Sequence, residues 1–260
     1  MTDHHHDLPP LPRVVLTPRQ WATFAAHGFK ATAQQHHRQL AAIFRTLIAD
    51  DAVVFDAGAH AGQFAKLFAR MASRGVVYAF EPARYARAVL MLSMAFNRPS
   101  NIKVFPLALG ASPGRLVLRT PIKRSGSFGF GLAHIGEDES PVRPETVETI
   151  DVVTIDGFCT FMGIDRLDFI KGDIEGWELQ MLKGGTATLE RFRPCVWIEV
   201  VGVNLARAGD SVEGLWQFMT KRAYEAFMFA DGGQVRRLGA PESGDILWVP
   251  SERAGALSVC

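Results

Sequence analysis

From residue 52 to residue 201, continuous apolar runs alternate with stretches whose apolar positions recur every three or four residues. The run "AVVFDAG" at 52–58 reads as a strand covered on both faces, as parallel strands usually are. "AGQFAKLFARMASR" behind it has the spacing of an amphipathic helix. The same pairing returns in "GVVYAFEP" with "ARYARAVLMLSMAFN", and a third strand follows in "NIKVFPLALG". "RLVLRTP" reads as a hairpin arm, and "TIDVVTIDGFCTFM" resumes strand and helix. "LDFIKGDIEG" is a fourth parallel strand and "PCVWIEVV" a fifth, each followed by a helical stretch. "MFADGGQVRRL" and "DILWVP" close the pattern as an antiparallel pair. This order predicts an α/β fold: a doubly wound, seven-stranded mixed sheet of Rossmann-like type with an N-terminal helical extension.

The flanks carry different patterns. Residues 1–16 are polar and Pro-rich and read as a disordered leader rather than a signal peptide, with His4, His5 and His6 inside it. Thr17 and Pro18 supply a helix start. Helical spacing then runs to about residue 48, with Gly28 as the expected break and His27, His36 and His37 as exposed helix residues. The expected division is a helical segment at 17–50, a nucleotide-binding core at 51–250 and a tail at 251–260. Residues 122–146 are rich in Gly, Ser and Pro and show no period, which predicts a functional loop, a lid or an acceptor wall. His134 within it is a candidate base or an ordinary exposed side chain.

Bulk properties narrow the classes. With 260 residues and 48% hydrophobic content, the chain can bury one large core. A net charge of +1 with scattered basic residues gives no footprint for nucleic acid. No apolar stretch has the length of a membrane span. Cys159, Cys195 and Cys260 are far apart and lack metal spacing, so reduced thiols and a cytoplasmic location are expected.

The chemistry gathers at the first strand end. Gly58 and Gly62 bracket a turn into a helix, where a ligand approaches the backbone and meets free N–H groups. A dinucleotide fingerprint needs glycine where His60 stands, and the chain has no P-loop. Asp56 before the turn disfavours phosphate and favours a ligand with positive charge. S-adenosylmethionine (SAM) has an ammonium, a sulfonium and no phosphate. Glu81 ends the second strand about 20 residues on, the position of a ribose-binding acid.

"VFDAGAHAGQFA", "VYAFEP", "VFPLALGASPG", "TIDGF", "LDFIKGDIEGWELQMLKGG" and "RPCVWIEV", in this order, resemble the FkbM-type SAM-dependent methyltransferases over residues 52–201. The resemblance implies a class I methyltransferase acting on hydroxyls of sugars or natural products. It implies a SAM turn at Asp56, Gly58, His60 and Gly62, a ribose contact at Glu81, an adenine flank at Ala108 and Leu109, and Asp173 beside the methionine end and the acceptor. His60 and Gly172 depart from the usual pattern; Gly172 is expected to weaken its strand or leave room by the pocket.

Methyl transfer to a hydroxyl needs alignment and a base. Asp173 and Glu175 alternate along an extended segment and are the candidate catalytic residues, with Glu175 as helix cap being the other reading. With Glu199 they form a possible cation site, although no metal is assigned. Lys171 orients Asp173 or is simply solvated; Trp177 walls the pocket or packs at a helix start. The expected partner is a small-molecule or saccharide acceptor, with no nucleic acid and no membrane span, and the N-terminal helices serve as acceptor wall or homodimer contact. The rival functions are a non-enzymatic SAM-binding scaffold and a nicotinamide-dependent oxidoreductase.

Overall fold

The computed structural model describes residues 18–33, 40–121, 134–135, 145–229, 235–255 and 257. Helices α1 (Pro18–Ala33) and α2 (Ala41–Leu47) precede strand β1 (Val53–Ala57), helix α3 (Gln63–Met71), β2 (Val76–Phe80) and α4 (Arg84–Asn97). Then come β3 (Ile102–Phe105), β4 (Leu107–Leu109), β5 (Gly114–Pro121), β6 (His134–Ile135), β7 (Glu145–Val153) and α5 (Ile155–Met162). The second half runs through β8 (Phe169–Gly172), α6 (Glu178–Lys183), α7 (Thr186–Phe192), β9 (Cys195–Val200), α8 (Gly202–Arg207) and α9 (Val212–Thr220). It ends with β10 (Tyr224–Phe229), β11 (Val235–Arg237), β12 (Gly244–Pro250) and α10 (Ser251–Ala254).

The main sheet has the order β11-β10-β12-β9-β8-β1-β2-β3. Strands β3, β2, β1, β8 and β9 are parallel, and β12 enters antiparallel between β9 and β10. The doubly wound mixed sheet is therefore present, with eight strands in place of seven: the three-residue β11 pairs along the outer side of β10. The strand order reverses between β1 and β8, where such sheets hold their ligands.

The third predicted strand is two strands. Pro106 has no N–H to donate, so the ladder stops at Phe105 and the chain passes to a second sheet ordered β4-β7-β5-β6. Residues 122–133 and 136–144 of the expected loop lie outside the described residues. Within the same span, β6 occupies 134–135 and β7 already includes 145 and 146.

Aromatic side chains fill both faces of the main sheet. Phe44 of α2 meets Phe68, Phe169 and Trp197 edge-on at 5.2–5.6 Å between ring centres. On the other face Phe158 of α5 meets Phe80 and Phe105 at 4.8 and 4.9 Å. Such pairs add to the burial of large apolar area. Helix α1 does not break at Gly28: a Cβ there would lie 2.5 Å from Leu92 Cδ2, so the glycine lets α1 cross α4 closely. The end of α1 is held by Lys66 and Ser93, which both donate to Ala31 O. His27 Nδ1 lies 3.0 Å from Tyr85 Oη, while His36 and His37 lie outside the described residues.

Candidate active site

The β1–α3 turn is shaped by three left-handed residues, Gly58 (φ 70°), His60 (φ 51°) and Gly62 (φ 80°). Gly58 is required twice over: its φ suits glycine, and a Cβ would lie 2.0 Å from Asp173 O. The amides of Gly58 and Ala59 both donate to Phe80 O at 3.0 Å, pinning the turn to the end of β2. Gly62 is the N-cap of α3 and packs against Leu90, so it shapes the turn from behind.

Glu81, 5% exposed, accepts from His60 N at 2.8 Å and from Ala83 N at 2.9 Å. One carboxylate thus ties the β1–α3 turn to the start of α4, and each oxygen keeps further acceptor capacity. Burial pushes its carboxyl up to about 7, against the pull of these two amides and of Arg87 and Lys171. Arg87 in turn donates to the carbonyls of Glu81 and Pro82 at 2.9 and 2.6 Å.

Beneath the turn Lys171 is 2% exposed, which excludes the solvated reading. Its Nζ donates to Gly58 O at 2.8 Å and Ala57 O at 3.2 Å. It lies 3.4 Å from Asp56 Oδ1 and 3.8 Å from Asp173 Oδ2. Burial works against its charge, but the Asp56 and Asp173 carboxylates carry its pKa above the ordinary lysine value. Asp56 is 0% exposed. It does not stand at the mouth as the sequence suggested, because a β-strand alternates faces and this residue turns inward to the lysine.

After β8 the chain makes a second strained turn, with Glu175 at φ 55° and Gly176 at φ 102°. Glu178, the first residue of α6, holds this turn instead: its carboxylate accepts from Ile174 N at 3.0 Å and Gly176 N at 3.3 Å. Glu175 is thereby released from the capping role. It accepts instead from Asn204 Nδ2 at 3.2 Å. Burial, then Asp173 and Glu199, push its carboxyl up to about 7. Asp173 has 45% of its side chain exposed. Gly172 leaves no room by the pocket: a Cβ there would meet Met181 at 2.7 Å and Ile198 at 2.9 Å.

The two turns enclose a cavity of about 250 Å³. Gly58, His60, Glu81, Asp173 and Glu175 line it, with Ala108 and Leu109. Asp56 and Gly62, expected at the ligand, sit behind this wall. Lys171, Phe64, Leu118 and Trp177 line it as well. Leu118 comes from β5, which sequence pattern marked only as a hairpin arm; its alternation was the available signal. Among the described residues no three His, Cys, Asp or Glu side chains are placed to hold one metal ion.

The model of the methyltransferase FkbM domain matches residues 56–226 of this sequence. The chain belongs to the FkbM methyltransferase family. Over 165 residues it is 25% identical to the 2-O-methyltransferase NoeI of Sinorhizobium fredii, covering 60% of this chain and 65% of that protein. It is also 27% identical over 154 residues to the methyltransferase sdnD of Sordaria araneosa, covering 50% of this chain and 59% of that one. The chain thus spans about three-fifths of the length of the curated relatives it matches. Among solved structures, the methyltransferase FkbM from Methylobacillus flagellatus aligns with a TM-score of 0.47 and 17% identity, covering 90% of this chain and 62% of that one.

The cofactor of FkbM methyltransferases is SAM, and the residues present fit it. Glu81 offers a buried acceptor for ribose hydroxyls, and Leu107, Ala108, Leu109 and Leu118 give an apolar wall for a base. The turn glycines open the backbone to close approach, and the cavity wall has carboxylates where a cationic ligand end would be balanced. No helix among the described residues is long and apolar enough to cross a membrane.

Proposed function

We propose that this FkbM-family chain methylates a hydroxyl of a saccharide or natural-product acceptor. The observation that carries the reading is one cavity holding both Glu81 and the Asp173–Glu175 pair, so cofactor and acceptor chemistry share a wall. SAM supplies an electrophilic methyl on a sulfonium. Glu81 would accept hydrogen bonds from the ribose hydroxyls, Gly58 and His60 would form the turn beside the cofactor, and Ala108 and Leu109 would flank the adenine. Asp173 would lie at the methionine and acceptor end. Glu175 would take the proton of the acceptor's hydroxyl. A base whose pKa is near the working pH suits this task, and Glu175 is held up to about 7. Oxygen as the accepting atom is supported by the similarity to NoeI, a 2-O-methyltransferase. Cys159 and Cys195 are free thiols inside the core, in keeping with a reducing, cytoplasmic setting.

Calorimetric titration of SAM and S-adenosylhomocysteine (SAH) tests the cofactor half. Wild type should bind both, and Glu81→Ala should bind about 10- to 100-fold more weakly, the loss of hydrogen bonds to a charged acceptor. Labelled methyl transfer from SAM to a panel of simple glycosides tests the acceptor half. SAM binding with no transfer to any hydroxyl would favour a non-enzymatic scaffold.

A further inference from the structure

Helix α8 carries no residue that the family motif marks, yet it reaches the candidate base. Asn204 Nδ2 donates to Glu175 Oε2 at 3.2 Å, and Arg207 Nη2 donates to Asn204 Oδ1 at 3.3 Å. Arg207 is a donor only, so it occupies the amide oxygen and leaves the amide nitrogen for the carboxylate. The orientation of the Asn204 amide is thereby fixed from both sides. The backbone of the same turn is seated on α8: a Cβ on Gly176 would lie 2.2 Å from Asn204 O. Glu175 holds a left-handed φ of 55°, a conformation non-glycine residues keep only when their surroundings impose it. A base held by an amide that is itself held by a guanidinium follows the general logic of an oriented catalytic group.

We infer that Asn204, held by Arg207, is a positioning residue for Glu175, fixing one carboxylate oxygen so that the other faces the acceptor hydroxyl. The inference rests on the methyltransferase reading above and adds two residues from a helix outside the SAM turn. The charged groups facing Glu175 are Asp173 on its own segment, Glu199 on β9 and Arg207 on α8. The first two favour its protonated form; Arg207 and the Asn204 N–H favour the carboxylate. Removing the N–H therefore raises the pH at which Glu175 becomes a competent base.

The test reads Glu175 directly and needs no acceptor. Protein with ¹³C-labelled glutamate carboxyls is titrated by NMR as its SAH complex, the Glu175 signal being assigned by its loss in Glu175→Gln. In wild type it should titrate near neutral pH. Asn204→Ala should move the midpoint up by about half a pH unit. Asn204→Asp keeps the shape but sets a carboxylate against Glu175, and should move it up by about one unit or more. A purely structural Asn204 would leave the midpoint of Asn204→Ala like wild type, while the shift in Asn204→Asp measures how close position 204 stands to Glu175. SAH affinity should stay within about twofold in both variants, since the network lies away from Glu81. An unmoved midpoint in Asn204→Ala, or a wild-type midpoint in the ordinary glutamate range, overturns the inference while SAH binding still stands. Failure of wild type to bind SAH overturns the cofactor reading and the inference with it.

Discussion

Asp56 and Glu175 lie at the carboxyl ends of adjacent strands, and the fold treats their charges differently. Asp56 is completely buried, and Lys171 stands 3.4 Å away with two carbonyls of the turn on the same ammonium. Glu175 is half-buried on the cavity wall, and its nearest charges include two further carboxylates, Asp173 and Glu199. Burial raises the carboxyl of the inner acid and Lys171 pulls it back, so the pair holds the turn to β8. Burial, then Asp173 and Glu199, raise Glu175, and burial, then Asp173 and Asp245, raise Glu199, so a proton or a cationic ligand end is welcome among them. A buried cation for its acid marks the matched frame of this site; carboxylates that outnumber their cations mark its chemistry.

Removing the cation of the inner pair should have the largest effect. Lys171→Met leaves Asp56 as an uncompensated buried charge, which should cost about 3–5 kcal/mol of stability. The double variant Lys171→Met with Asp56→Asn should recover most of that loss, because a neutral pair needs no compensation. Urea denaturation of wild type, both single variants and the double variant measures the coupling. A single lysine variant as stable as wild type would break the comparison, since Asp56 would then have tolerated burial alone.

The second expectation concerns pH. Glu81 and Glu178 are 5% and 1% exposed, and burial pushes both carboxyls up to about 7 from an ordinary 4.5. Between those values the folded chain binds more protons than the unfolded one, so stability is fully present below about 4.5 and is lost as pH rises toward 7. Each acid contributes a slope of up to about 1.4 kcal/mol per pH unit in that window. The ligand-free protein should melt higher at about pH 5 than at about pH 7.5. Glu178→Gln should flatten the difference, since its amide stays neutral throughout. A flat profile in wild type would mean that the backbone amides around these acids outweigh their burial.

The frame was legible in the sequence because apolar runs and turn glycines encode it locally. "AVVFDAG" reads as strand and turn, and its strand is buried as expected. The place of Glu81 on the cavity wall was legible by its distance from the glycines. The direction of a side chain was harder to read. Asp56 looked like part of the ligand wall, but whether a strand-end acid faces the cavity or a buried lysine depends on the register of β1 against β8, where Asp56 pairs with Lys171. Glu178 and Asn204 were missed for a related reason. Glu178 reaches back to the amides of the turn before α6, and Asn204 meets Glu175 across 29 residues of sequence. Pairings of this length have no periodic signal.

The smallest expected effect runs opposite to the first. Glu199 on β9 and Asp245 on β12 are direct cross-strand partners. Burial, then Asp173 and Asp245, raise the Glu199 carboxyl. Like charges opposed across a ladder are mildly destabilising, by a few tenths of a kcal/mol to about 1 kcal/mol. Asp245→Asn should therefore stabilise the protein by about 0.5 kcal/mol at neutral pH. Asp56→Asn alone should destabilise it, by stranding the Lys171 ammonium. Urea midpoints of the two variants, taken at one pH, set the outer and inner acids side by side. If both substitutions moved stability in the same direction, the division between matched frame and unmatched site would fail. Opposite signs would show that the fold tolerates repulsion around Glu175 while it cannot do without the attraction beneath Gly58.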